Sequence, residues 1–184
     1  MTWQPIFPAA LQLAASALLR ELPTAQHAPS QGFKVFVQGE PLSAPCRVYY
    51  PPDGLRSLIA RATGDVRTLA LCFGATHWDG FVREECLRQL VDLERPWAVP
   101  FIVQLLGEYV IEIVEVIAAA LPTMDAALLA GFALENPQFM ATTRRRATSY
   151  WDCYHRRRFP ARQTYSALVA LDAIEQMART SLEN

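Results

Sequence analysis

Apolar residues recur along this chain at two different periods, and the change from one to the other divides it. Leu11, Ala14, Ala15, Leu18 and Leu22 return every three or four positions, which predicts a helix that Pro23 ends. Residues 24–32 form a polar linker. Two short runs rich in β-branched and aromatic residues follow, at 33–38 and 46–50, and the segment between them holds Pro41, Pro45 and Gly39. That order predicts a two-stranded β-ribbon closed by an irregular loop. An isolated ribbon is marginal in water, so it must lie against a helical body.

Past Pro51-Pro52-Asp53-Gly54 the helical period takes over and persists. Asp53 is placed to cap a helix through Leu58 and Ile59. Further helices are predicted over 66–76, 80–93, 97–106, 108–121, 124–135, 138–158 and 161–180, with Pro96, Pro100 and Pro122 as punctuation. The pattern predicts one domain over 1–184, in which residues 1–53 supply a helix and ribbon and residues 54–184 the helical body.

Within that body the starts of three helices echo one another. Asp79-Gly80-Phe81-Val82, Gly107-Glu108-Tyr109-Val110 and Asn136-Pro137-Gln138-Phe139-Met140 each place a turn, an aromatic and an apolar residue in that order. Phe81, Tyr109 and Phe139 are 28 and 30 residues apart. A period near 30, with one helix pair per unit, predicts an α-solenoid of three to four stacked pairs.

The residues of the first unit resemble a known pattern. Asp79-Gly80-Phe81-Val82-Arg83, followed by Cys86 and Leu90, is similar to the D-x-x-V-R-x-x-A-x-x-A-L signature of HEAT repeats. The resemblance spans residues 54–158, about three units. It implies that Asp79 and Arg83 bond between adjacent turns and that second helices line a concave face. Ile111 and Ala141 stand where the other two units would carry the arginine, so the ladder would be confined to one unit. Bacterial HEAT-like domains of this size include immunity partners of secreted toxins and helical-repeat DNA glycosylases, so the resemblance implies a partner-binding face or a nucleic-acid groove.

Composition narrows the choice. A hydrophobic share of 52% over 184 residues supports a packed core and argues against disorder. The net charge of −1 exerts no general pull on nucleic acid or anionic lipid. Its distribution is uneven: residues 54–121 carry six Arg against nine acids, and residues 122–163 carry seven Arg against three. The apolar stretch 9–19 has no basic residue before it and Arg20 after it, the wrong polarity for a secretory signal. No run approaches about 18 uninterrupted apolar residues. The four scattered cysteines suit free, buried thiols in a reducing compartment, so the cytoplasm is expected.

Two charged helices are the candidate sites. Glu108, Glu112 and Glu115 recur at i, i+4 and i+7, and Glu84 lies one repeat before Glu112. They form an acidic strip on the concave face, or an ordinary solvated face. On the 138–158 helix, Met140, Thr143, Ala147, Tyr150, Trp151 and Tyr154 read as the inward stripe. Arg144, Arg145 and Arg156 point outward and could grip a phosphate or carboxylate, or serve only the helix dipole and an Asp152–Arg156 pair. Trp151 and its neighbouring tyrosines could stack on bases. The loop His77-Trp78-Asp79 is the third candidate, although Asp79 is equally placed to cap the next helix.

The three histidines are too far apart in sequence for a metal site, and neither G-x-S-x-G nor a Gly-rich phosphate loop is present. The expected function is therefore non-catalytic and cofactor-free: recognition of another protein on a concave helical face, in an adaptor or immunity role. A nucleic-acid- or nucleotide-binding protein using Arg144, Arg145, Arg156 and Trp151 is the alternative.

Overall fold

Nine α-helices and one two-stranded antiparallel ribbon make up most of residues 7–183, the part of the chain that this computed structural model describes. The chain falls into two compact units, the first ending at Leu90 and the second beginning at Val91.

In the first unit, helix α1 (Gln12–Glu21) is followed by strands β1 (Gly32–Val37) and β2 (Glu40–Pro45), then by α2 (Pro52–Arg61), α3 (Gly64–Ala75) and α4 (Gly80–Leu90). The second strand is not the predicted run at 46–50. Val37 pairs directly with Glu40, so Gln38-Gly39 is the whole loop. Both loop residues have positive φ, 52° and 79°, the left-handed geometry whose twist matches a tight hairpin. From that closing pair, hydrogen-bonded and non-bonded pairs alternate along the ladder. Pro41 and Pro45 both fall in non-bonded pairs, where a missing N–H costs no ladder bond. The expected breakers are therefore compatible with the strand. Gly32 is required, because a Cβ there would lie 2.5 Å from the Ala44 carbonyl oxygen.

The 46–50 run is extended but pairs elsewhere. Tyr49 and Arg47 accept bonds from the amides of Gln26 and Ser30, and Val48 forms a parallel bridge with His77. Helix α3 is the centre of this unit, buried from Thr68 to Ala75 and packed on α1, α2 and α4. Asp53 sits inside the first turn of α2 and Pro51 takes the cap position, because Pro52 starts a helix readily with its fixed φ.

The second unit contains α5 (Val99–Leu105), α6 (Ile111–Ala120), α7 (Ala126–Glu135), α8 (Pro137–Tyr150) and α9 (Ser166–Glu183). Every residue of α5 is buried, and α9 packs on α6, α7 and α8. Asp125 caps α7 through the amides of Ala127 and Leu128.

The predicted 138–158 helix is not a continuous α-helix. Its last turn, Trp151–His155, is π-helical. The extra residue of that turn moves the inward face on by one position, so His155 is buried where a regular helix would have buried Tyr154, which is 66% exposed. The same turn leaves Cys153 exposed, against the expectation of buried thiols; Cys72 and Cys86 are buried and Cys46 is half-buried. Among the described residues no single helix is long and apolar enough to cross a membrane.

Helices α3 and α4 touch where Gly74 faces Cys86. A Cβ at Gly74 would stand 2.1 Å from the Cys86 Sγ and 3.0 Å from its Cβ. Gly74→Ala is expected to destabilise the fold by about 1–3 kcal/mol through overpacking. Adding Cys86→Ala should recover part of that loss, and chemical denaturation of the single and double variants would measure both. Gly131→Ala, in open space on α7, should instead stabilise by about 0.5–1 kcal/mol.

Candidate functional site

In the first unit the loop His77-Trp78-Asp79 is held by a closed set of hydrogen bonds. The Val48 amide donates to Thr76 O, and the Trp78 amide donates to Val48 O. The His77 ring is fully buried, with Nε2 2.8 Å from Tyr50 O and Nδ1 accepting the Asp79 amide at 3.1 Å. A carbonyl only accepts, so Nε2 carries the proton and the ring is neutral. Asp79 caps α4, its Oδ1 accepting from the Phe81 and Val82 amides at 2.8 and 3.4 Å.

The buried Arg83 guanidinium donates through Nη1 to the carbonyls of His77 and Trp78, at 2.8 and 3.0 Å. These residues shape a turn. Of the loop, the Trp78 ring is the part that is substantially exposed, at 46%.

In the second unit the predicted acidic strip does not form. Helix α6 begins at Ile111, so Glu108 lies in the preceding turn, where it is buried and engaged with neighbouring groups. Glu112 is exposed on α6, and Glu115, half-buried, pairs with Arg158. Glu84, in the first unit, bonds Arg88 one turn along α4.

The predicted arginine cluster is likewise dispersed into separate partnerships. Arg144 spans to α9, where Nη1 meets Asp172 at 2.8 Å and Nη2 meets Glu175 at 2.9 Å. Arg145 bonds the Thr142 hydroxyl. Arg156 pairs with Asp152 as expected, and its guanidinium also lies 5.1 Å over the Trp151 ring. Trp151 in turn donates to Phe159 O at 2.8 Å. Arg144 is therefore a brace between α8 and α9, not an open anion site.

What the second unit does assemble is a tyrosine patch. Tyr109, from the turn before α6, meets Tyr150 and Tyr154, from the end of α8 and its π turn, at centroid distances of 6.0 and 6.3 Å; Tyr150 and Tyr154 are 6.1 Å apart. Tyr109 and Tyr154 are 53% and 66% exposed. None of the three hydroxyls has a hydrogen-bond partner among the described residues.

His155 places the patch: its Nε2 lies 2.9 Å from Tyr109 O, tying the π turn to the turn before α6. Behind it the imidazole stacks on Tyr165 at 5.3 Å, whose phenol burial pushes up to about 12. Arg146 packs over Gly107 beside Tyr109, because glycine leaves room for its stem: a Cβ there would meet the Arg146 Cβ at 3.3 Å. Arg146 and the exposed Arg157 have no ion-pair partner among the described residues. The sequence places Tyr150 and Tyr154 on the inward stripe, with base stacking as the alternative, and offers Tyr109 only as a repeat marker. A π turn has no sequence signature at this level, so their convergence was invisible.

Compared with protein-family models, with curated proteins and with solved structures, the chain matches none. The site is therefore read from its own geometry.

The His77 bracket carries a pH signature. Burial, the largest effect, holds the imidazole below its ordinary value of 6.5, with Arg83 acting in the same direction; the bond to Tyr50 and the charge of Asp79 oppose it. Below about pH 6.5 the unfolded chain takes up a proton that the folded ring resists, so stability falls as pH drops through that value. Urea unfolding at about pH 7.5 and pH 5.5 should show the loss. His77→Gln should be less stable at the higher pH and less sensitive to the change.

Proposed function

We propose that the chain is a non-catalytic binding module that recognises a partner protein through the tyrosine patch of its second unit. The supporting observation is the contact of the exposed Tyr109 and Tyr154 with the half-buried Tyr150, with open hydroxyls, beside the Arg156-stacked Trp151. Tyrosine, tryptophan and arginine dominate the energetic centres of protein interfaces, since each combines a large apolar area with a directed polar group. Rings already packed on one another lose little conformational freedom on binding.

The arginines favour a protein over a nucleic-acid strand. Arg144, Arg156 and Arg158 are neutralised by Asp172 and Glu175, Asp152 and Glu115 respectively. A phosphate backbone would have to compete with those carboxylates for each guanidinium, and its affinity grows with the number of cations it engages. The free Arg146 and Arg157 suit a partner surface of modest acidity. An adaptor or immunity role for a HEAT-like helical stack in the cytoplasm remains our proposal. In its favour α3 and α4, consecutive in sequence, pack on one another; against it, α9 packs on three helices and departs from nearest-neighbour stacking.

Affinity capture from native lysate, with and without nuclease, tests this reading. One protein is expected to be retained after nuclease treatment. Tyr154→Ala and Tyr109→Ala should each weaken its binding by about 2 kcal/mol, roughly thirtyfold. Both variants should keep their folding stability within about 0.5 kcal/mol, as exposed positions do. Retention that vanishes with nuclease, or unchanged affinity in both variants, would sink the proposal.

A further inference from the structure

The second unit also carries a cleft that shares no residue with the tyrosine patch. The cleft, of about 190 Å³, opens between the loop 91–94, the beginning of α5 and the turn 123–125 that leads into α7. Its floor is apolar and buried, built from Val99, Ile102 and Leu129. Its mouth is acidic, with Asp92, Glu94 and Asp125 all exposed.

The three carboxylates are not equivalent. Asp125 is committed through Oδ1 to the Ala127 and Leu128 amides at 2.8 and 3.1 Å. The Asp92 and Glu94 carboxylates have no hydrogen-bond or ion-pair partner among the described residues. The adjacent cation does not compensate them, since the Arg95 guanidinium lies 5.9 Å over the Trp97 ring and Nη1 bonds the Glu94 carbonyl, 3.3 Å away.

We propose that this cleft is a socket for one arginine or lysine side chain of a partner protein. Those side chains alone combine a long aliphatic stem with a cationic head. The stem would lie on Val99, Ile102 and Leu129 while the head reaches Asp92, Glu94 and the outer oxygen of Asp125. An anion is repelled by the rim, and a neutral apolar chain gains the floor but leaves the carboxylates unanswered. The volume points the same way: small-molecule sites usually span about 300–1,000 Å³, and this cleft is smaller. Because the carboxylates are exposed, the attraction is salt-sensitive and favours encounter rate and choice of partner over raw affinity.

The test is methyl-detected NMR of the full chain, following Val99, Ile102 and Leu129. The probes are the blocked peptides acetyl-Gly-Arg-Gly-amide and acetyl-Gly-Lys-Gly-amide, with acetyl-Gly-norleucine-Gly-amide as the uncharged control. A basic peptide should shift these methyls saturably, and the norleucine peptide should bind about tenfold more weakly. Asp92→Asn with Glu94→Gln should remove most of that difference while leaving the melting temperature unchanged. Tyr154→Ala should leave peptide binding intact, so failure of the patch and failure of the socket are separable. Three outcomes overturn the inference: no saturable shift with either basic peptide, equal binding of the norleucine peptide, or binding of free agmatine without binding of the peptides.

Discussion

Each unit is fastened internally by a buried imidazole that donates Nε2–H to a backbone carbonyl far away in sequence. His77 reaches Tyr50, 27 residues back, and His155 reaches Tyr109, 46 residues back. A carbonyl at a loop or helix end loses its water on burial and must find another donor, at a cost of about 1–3 kcal/mol if it does not. A histidine supplies that donor at the end of a short, nearly rigid side chain, and so helps to fix the distance between two segments far apart in sequence. In the first unit the tie brings the 46–50 strand segment to the α3–α4 turn, where Arg83 satisfies two more carbonyls. In the second it brings the π turn to the turn before α6.

The surface character of the second unit follows from that tie. Burying His155 turns Tyr154 outward, and holding Tyr109 O beside the π turn sets Tyr109 against Tyr150 and Tyr154. The neighbouring arginines are then drawn into local work: Arg144 braces α9, Arg158 binds Glu115, and Arg156 covers Trp151. A helix that reads as a strongly basic surface is, in three dimensions, neutralised in part, Arg144 and Arg158 by acids from other elements and Arg156 by Asp152 one turn back. That exchange of a charge cluster for an aromatic one favours the proposed protein recognition over the anion-binding alternative. The acidic cleft shows the converse, since Asp92 and Glu94 look unremarkable in sequence and gain meaning from an apolar floor contributed by α5 and α7.

Much of the local structure was legible from one-dimensional rules because those rules concern neighbours along the chain. The helical period, the prolines that punctuate it, the Asp79 cap and the Asp152–Arg156 pair all depend on residues within about one turn of each other, and all appear as read. The ribbon was half legible. Its first strand and its existence came from β-branched alternation, but the partner strand was misplaced because Pro41 and Pro45 read as breakers. Only the register shows that both occupy positions where no ladder bond is lost.

The sequence by itself determined a mainly helical chain with a short β-ribbon near its start, because helical period, alternation and capping are short-range steric and hydrogen-bonding constraints. It also determined the arginine-rich and aromatic makeup of the 138–158 segment. Tertiary structure alone decided which of those side chains face outward and which charges are already answered. An ion pair such as Arg144 with Asp172 and Glu175 joins residues about thirty positions apart, and a π turn is chosen by what it allows His155 to reach. Both are settled by packing between helices, and packing has no period that a single sequence displays.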